Sequence, residues 1–281
     1  MNQIEQISSI ASAFARARDE GRVALIPYVM AGYPDLATSE ELAVALGEAG
    51  ADILELGIPF SDPLADGATV QHAGQRALEQ GTTLAGSLAL AGRITSRVAM
   101  PLVLMTYYNP IFAYGLDRFT QAASEAGVAG LIVPDLPPEE AEPLQRAASE
   151  RGIELVFMVT PTSPDARIEQ VSRTAERTAQ RTGGGFIYCV ALSGVTGARD
   201  HLPTRLSEFV GRVRARTKLP LAVGFGVSRG EHVAAIGRIA DGAVAGSSLL
   251  NAVDAAPPEE RVSVAQAFLR ELQAGAKRSG G

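Results

Sequence analysis

The chain is poor in the residues on which the commoner site chemistries depend. Its 281 residues include one cysteine, three histidines and two lysines. The lone Cys189 excludes an intrachain disulfide, and its apolar neighbours give it a core role. His72, His201 and His232 are scattered, with no Cys or acidic ligands at metal spacing, so no metal site is expected. No apolar stretch is long enough to span a bilayer. The opening Met-Asn-Gln-Ile-Glu-Gln lacks the basic start and apolar run of a secretory signal, and the expected location is cytoplasmic. A formal charge of -6 without a basic stripe argues against a nucleic-acid partner or an anionic membrane surface, which need clustered Lys and Arg.

What is present favours a large folded core. Hydrophobic residues make up 46% and charged residues 20% of the chain, which excludes global disorder. The length admits one large domain or two small ones. No low-complexity linker or charge run divides it, so residues 1–281 read as one domain. Ile4 to Arg18 carries apolar residues at helical spacing and is expected to cover one end of the core. A strand-loop-helix unit then recurs from Val23 onward, with apolar runs at Val23–Met30, Ile53–Leu56, Leu102–Met105, Leu131–Val133, Leu155–Val159, Phe186–Val190, Leu221–Val223 and Gly242–Val244. Roughly eight such units close a (β/α)8 TIM barrel. A doubly wound sheet is the competing arrangement, because both bury parallel strands on two faces. The count, and the polar and glycine-rich stretches placed after the strands, favour the barrel with an extra N-terminal helix.

Four stretches have the composition of a site. Glu55 sits in the run Ile53–Leu56, and the loop after it carries Asp62 and Asp66 between Pro59, Pro63 and Gly67. A strand fixes one carboxylate while the following loop brings another over the same cavity, which suits proton transfer. Apolar flanks would tune Glu55 towards its protonated form. Spacing alone leaves open a core acid paired with a cation and aspartates that only form turns. Gly224-Phe225-Gly226 and Gly246-Ser247-Ser248 follow consecutive strands and offer free backbone N–H groups, the usual phosphate site of barrels. Leu192 to Arg199 suits a mobile loop that closes over a ligand, or a passive turn. Val133 to Glu139 is a proline-rich connector whose Asp135 is a functional group or a turn former. The basic, polar stretch Arg173 to Arg181, before Gly183-Gly184-Gly185, reads as a solvated helix face and a turn.

Taken together, Leu54-Glu-Leu-Gly-Ile-Pro-Phe-Ser-Asp-Pro-Leu-Ala-Asp-Gly, Leu104-Met-Thr-Tyr-Tyr-Asn-Pro-Ile, Val133-Pro-Asp-Leu-Pro, Gly194-Val-Thr-Gly, Gly224-Phe-Gly and Gly246-Ser resemble the α subunit of tryptophan synthase over nearly the whole chain. The resemblance implies a barrel lyase that cleaves indole-3-glycerol phosphate to indole and glyceraldehyde 3-phosphate. It implies Glu55 as the acid/base, Asp66 as the carboxylate on the indole N–H, and Thr196 on a closing loop that positions Asp66. It places the indole against Tyr28, Leu104, Ile132, Tyr188 and Phe225, and the phosphate at Gly197, Gly226, Gly246 and Ser247. No cofactor is expected in this chain. The implied partner is a β subunit carrying pyridoxal phosphate, in an α2β2 complex contacted through Asp62, Pro63, Asp135 and Pro137.

Three positions depart from the family pattern: Ala68 stands where proline is usual, position 28 is Tyr where phenylalanine also occurs, and Arg173 to Gly185 is longer by roughly half a dozen residues, an addition of the kind loops tolerate. Other functions remain to be weighed. A neighbouring synthase would need a catalytic lysine on a strand, but Lys218 and Lys277 lie outside the strand runs. A free-standing lyase would differ only in its partner, and a non-catalytic activating subunit would have no need of both acids.

Overall fold

The computed structural model describes residues 9–191 and 204–277. Eight parallel strands close into a barrel in chain order: β1 (Ala24–Met30), β2 (Leu54–Gly57), β3 (Leu102–Met105), β4 (Val128–Ile132), β5 (Glu154–Val159), β6 (Ile187–Val190), β7 (Leu221–Gly224) and β8 (Gly242–Ala245). The helices are α1 (Ile10–Asp19), α2 (Leu36–Glu48), α3 (Ala68–Glu79), α4 (Leu84–Arg97), α5 (Tyr108–Tyr114), α6 (Leu116–Glu125), α7 (Glu142–Ser149), α8 (Asp165–Thr182), α9 (Thr204–Arg214), α10 (Gly230–Gly237), α11 (Ser247–Ala255) and α12 (Arg261–Ala276). Closure of the β1–β8 pair, Ala24 opposite Gly242, decides for the barrel over a doubly wound sheet.

The strands alternate between two cores. Their outward residues, among them Leu54, Leu56, Leu102, Leu104, Leu131 and Leu155, fill the layer beneath the helices. Their inward residues, Ile26, Ile53, Val103, Ile132, Val156, Ala222 and Val244, pack inside the barrel with Ile10, Ala13, Phe14 and Ala17 of α1. Helix α1 therefore closes one end, as its amphipathic spacing predicts; Ile4 and Ile7 lie outside the described residues. Its seat depends on missing side chains, since a Cβ at Gly130 would lie 2.9 Å from Ile10 Cδ1. Phe14 meets Phe186 at 5.5 Å between ring centres. Burying such a ring contributes roughly 1.5–3 kcal/mol.

The boundaries differ from expectation where local chemistry overrides the apolar pattern. Helix α2 begins at Leu36 rather than near Thr38, because the Asp35 side chain caps it by accepting the Thr38 N–H at 2.8 Å. Strand β4 starts at Val128, ahead of the apolar run, because Gly130 is an inward strand residue here rather than a break. Helices α4 and α5 fall between the units read from the sequence. Gly86 and Gly92 dilute the helical signal of α4, and α5 is a seven-residue helix containing Pro110. Arg173 to Arg181 lies within the 18-residue α8, whose end is capped by Gly183 at φ 84°. Among the described residues no helix is long and apolar enough to cross a membrane.

Candidate active site

Strand alternation puts one acid into the barrel. On β2, Glu55 and Gly57 share the inward face with Ile53 just before it, and Glu55 sits opposite Tyr28 on β1 and Val103 on β3. Glu55 is 2% exposed. Burial pushes its carboxyl up to about 8, and the nearby Asp66 charge adds to the shift. Burial thus favours its protonated form, and among the described residues it makes no ion pair, which disfavours the core-ion-pair alternative.

The loop after β2 delivers the second carboxylate. Burial raises Asp66 to about 6, against the pull of a hydrogen bond from the Tyr107 phenol, which favours the ionised form. Tyr107 also accepts the Ala65 N–H at 2.9 Å and stacks on Phe60 at 5.3 Å between ring centres. Asp66 N–H closes a turn on the Pro63 carbonyl at 3.1 Å, and the Gln71 side chain of α3 donates to the Asp66 carbonyl at 2.9 Å. Tyr107, just after β3, escapes a sequence reading because its role is set by a loop some forty residues away; its place in the Thr-Tyr-Tyr-Asn motif was the available signal.

Tyr28 and Tyr188 converge on the same two acids. Burial first, then the charges of Glu55 and Asp66, push both phenols well above their ordinary range, so they remain neutral O–H groups. Each occupies room left by a glycine. A Cβ at Gly57 would lie 2.0 Å from the Tyr28 oxygen, and one at Gly224 would lie 2.8 Å from the Tyr188 oxygen.

The structure places the other expected aromatic-pocket residues unequally. Ile132 is inward and buried. Leu104 is not: it belongs to the outer layer beneath the helices, opposite Leu56 and Leu131. The reason is the two-residue period of the strand, which turns the next residue, Met105, inward opposite Gly57 and against Tyr28. Phe225, one residue past β7, is half-buried and packs against the outer layer.

At the far side of the mouth, β7 and β8 lie in register with Gly224 opposite Val244. Gly226, at φ 50°, follows the first and Gly246 the second. The Ser248 hydroxyl donates to the Val227 carbonyl, binding the two loops together. Helix α11 opens at Ser247 with no side-chain cap, and Leu250 is the residue whose N–H first bonds back, to Gly246 at 3.0 Å. Among the described residues the preceding N–H groups have no side-chain cap, and they stand at the positive end of the helix dipole. A Cβ at Gly246 would lie 3.6 Å from that of Tyr28, so this cradle adjoins the acids. Thr196 and Gly197 lie outside the described residues.

The residues expected to face a partner surround the same mouth. Asp62 is exposed and accepts the Ser61 hydroxyl at 2.6 Å. Pro63 and Pro137 are half-buried. Asp135 accepts the Tyr108 N–H at 2.8 Å, so it starts α5 from another loop instead of its own helix. Nearby, Leu64 is 94% and Phe112 65% exposed. Lys218 and Lys277 both lie outside the strands. Among the described residues no cluster of His, Cys, Asp or Glu is arranged to hold a metal.

Comparison with known proteins agrees with this geometry. The family model described as tryptophan synthase alpha chain matches residues 14–277. The tryptophan synthase alpha chain of Chloroflexus aurantiacus is 49% identical over 267 residues, covering 95% of this chain and 97% of its own. That of Roseiflexus sp. is 50% identical over 268 residues, covering 95% and 100%. Among solved structures, a chain of Mycobacterium tuberculosis tryptophan synthase superposes with a TM-score of 0.85 at 36% identity, over 97% of this chain and 100% of the other. The alpha chain of Legionella pneumophila gives 0.82 at 32%, over 94% and 95%. With a family model matched over residues 14–277 and relatives near 50% identity over almost the whole chain, the chain belongs to the tryptophan synthase alpha chain family, the carbon-carbon lyases of tryptophan biosynthesis that cleave indole-3-glycerol phosphate to indole and glyceraldehyde 3-phosphate.

Proposed function

We propose that Glu55 and Asp66 divide the retro-aldol chemistry between them. What supports this assignment is the geometry, a buried Glu55 on β2 with Asp66 carried beside it by the pinned loop that follows; burial pushes the first carboxyl to about 8 and the second only to about 6. Two carboxyls pushed apart in this way serve as acid and as charge stabiliser. Neutral Glu55 delivers a proton to indole C3, which places positive charge on the ring nitrogen. Asp66, ionised, faces the N–H and stabilises that charge. The carboxylate left on Glu55 then takes the proton of the side-chain hydroxyl. As the C–C bond to C3 breaks, its electron pair returns to the ring and the aldehyde forms; the proton Glu55 gave stays on C3 of the indole, and Glu55 ends protonated by the hydroxyl proton.

The indole lies between Tyr28, Ile132 and Tyr188, with Met105 filling the inward position expected of Leu104; Phe225 borders the mouth. Gly226, Gly246 and Ser247 hold the phosphate, joined by Gly197, and Thr196 closes towards Asp66. The whole chain, 1–281, works as one barrel unit in the cytoplasm and needs no cofactor of its own.

The family name implies a β partner. In our reading the complex is α2β2, the partner carries pyridoxal phosphate and consumes the indole, and the contact runs through Asp62, Pro63, Asp135 and Pro137. The exposed side chains of Leu64 and Phe112 support an apolar contact there. Incubating the chain with indole-3-glycerol phosphate and assaying indole, alone and with a β subunit, tests both parts. Release that vanishes in Glu55→Gln and Asp66→Asn supports the assignment, and near-wild-type release in either variant overturns it. Failure of a β subunit to stimulate release overturns the partner reading alone.

A further inference from the structure

At the N-terminal mouth of the barrel, opposite the site described above, a cavity of about 130 Å³ opens between α1 and the segments leading into β7 and β8. That is several times the ~30 Å³ one water occupies in the liquid. Its wall is cationic: Arg18 comes from α1, Arg22 from the turn after it, Arg214 from the end of α9 and Lys218 from the loop before β7. Phe14 adds an apolar surface, and Asp241 is the single acid among the described lining residues.

These charges fall into two groups. Arg22 gives its guanidinium to Asp52 at 2.6 and 2.9 Å and its Nε to Glu20 at 2.6 Å. Arg214 bonds to Asp241 and donates to the Leu219 carbonyl at 3.0 Å. Asp241 in turn accepts the Leu221 N–H at 2.9 Å, so its charge is engaged by the frame. Arg18 and Lys218 are not built into that frame. Arg18 reaches Asp19 only at 4.0 Å, both side chains being largely exposed, a pairing worth little in water. Lys218 makes no ion pair among the described residues. Two positive groups thus face a preformed hollow whose remaining charges are already balanced.

We propose that this cavity binds a small phosphate-class dianion, held by Arg18 and Lys218 on walls fixed by the Arg22–Asp52 and Arg214–Asp241 pairs. Two uncommitted cations match a dianion in charge, charge-assisted bonds favour its oxygens, and the volume admits free phosphate or a small phosphate end group. Because Phe14 and Arg18 belong to the helix that plugs the barrel, binding here would also fasten α1 to β7 and β8.

The test is a backbone-amide NMR titration of the full chain with inorganic phosphate, against sodium chloride at matched ionic strength. The expected result is a saturable shift at Phe14 to Arg22 and Lys218 to Leu221, independent of the shifts at Gly226 to Ser247. In R18Q/K218Q the first set should weaken by about tenfold or more, while the second set and lyase turnover stay unchanged. A glycerol 3-phosphate arm separates the sources: saturation of the N-terminal mouth by it assigns phosphate end groups, and saturation by inorganic phosphate alone assigns the free ion. Shifts confined to Gly226 to Ser247, shifts reproduced by chloride, or shifts at the N-terminal mouth that survive R18Q/K218Q would overturn the proposal.

Discussion

The Tyr107 phenol accepts the Ala65 N–H at 2.9 Å and so pins the loop that carries Asp66. It also bonds to the Asp66 carboxylate, drawing its ionisation down against the effect of burial. Position and charge of the second acid are thus controlled by one hydroxyl delivered from the loop after the neighbouring strand.

Tyr107→Phe removes the donor that favours ionised Asp66. The acid limb of kcat/KM against pH should move to higher pH, by up to about one unit for a bond worth roughly 0.5–1.5 kcal/mol. An unmoved limb with uniformly lower activity would mean that Tyr107 only shapes the loop.

For the wild type the profile should be bell-shaped. Activity falls below about pH 6 as Asp66 takes up a proton and falls above about pH 8 as Glu55 loses its own. Glu55→Gln should lower kcat by about 10²–10⁴-fold and abolish the alkaline limb, measured as indole release.

A second buried acid affects stability instead. Glu154, 3% exposed at the start of β5, is raised to about 8 by burial, against a hydrogen bond from the Thr182 hydroxyl. The folded chain keeps this proton to about pH 8, while the unfolded chain releases it near the ordinary value of about 4.3. Between those values the unfolded state binds fewer protons, so stability declines as pH rises, by about 1.4 kcal/mol per unit for one full proton. Glu55 adds a decline of the same sign. Denaturation across pH 5–9 should show the slope reduced in Glu154→Gln and reduced again in Glu55→Gln/Glu154→Gln; an unchanged slope would refute the burial of a neutral Glu154.

Ala68 is the first residue of α3, preceded by Gly67 in an extended conformation of φ -74° and ψ 163°. That geometry accepts proline at position 68. Ala68→Pro should therefore stabilise the chain by about 0.4–1 kcal/mol through the unfolded state, read from denaturant midpoints. A loss of stability would show that the loop before α3 needs its present freedom.

Much of this architecture is legible in the sequence alone. Apolar strand runs and the polar stretches that follow them imply a parallel barrel with its site at the strand ends, because burial on two faces and the position of the connecting loops both act locally. Glu55 could be singled out for the same reason: an acid within an apolar strand has nowhere to go but the barrel interior or the layer under the helices. The motif resemblance then put Asp66 beside it.

Which face each residue takes, and what it meets there, was decided only by the fold. Leu104 and Met105 are adjacent and both apolar, so composition cannot choose between them; the strand pleat, fixed by register against Gly57 and Ile132, turns Met105 inward. Tyr107 gains its role from contact with Ala65 and Asp66, far from it in the chain. The cations of the N-terminal mouth are likewise spread over Arg18, Arg22, Arg214 and Lys218, and closure of β1 onto β8 gathers them around one cavity. The sequence by itself determined the periodicity, the barrel and the chemical inventory. Barrel closure and strand register decided which members of that inventory face one another, because those contacts join residues that no local pattern connects.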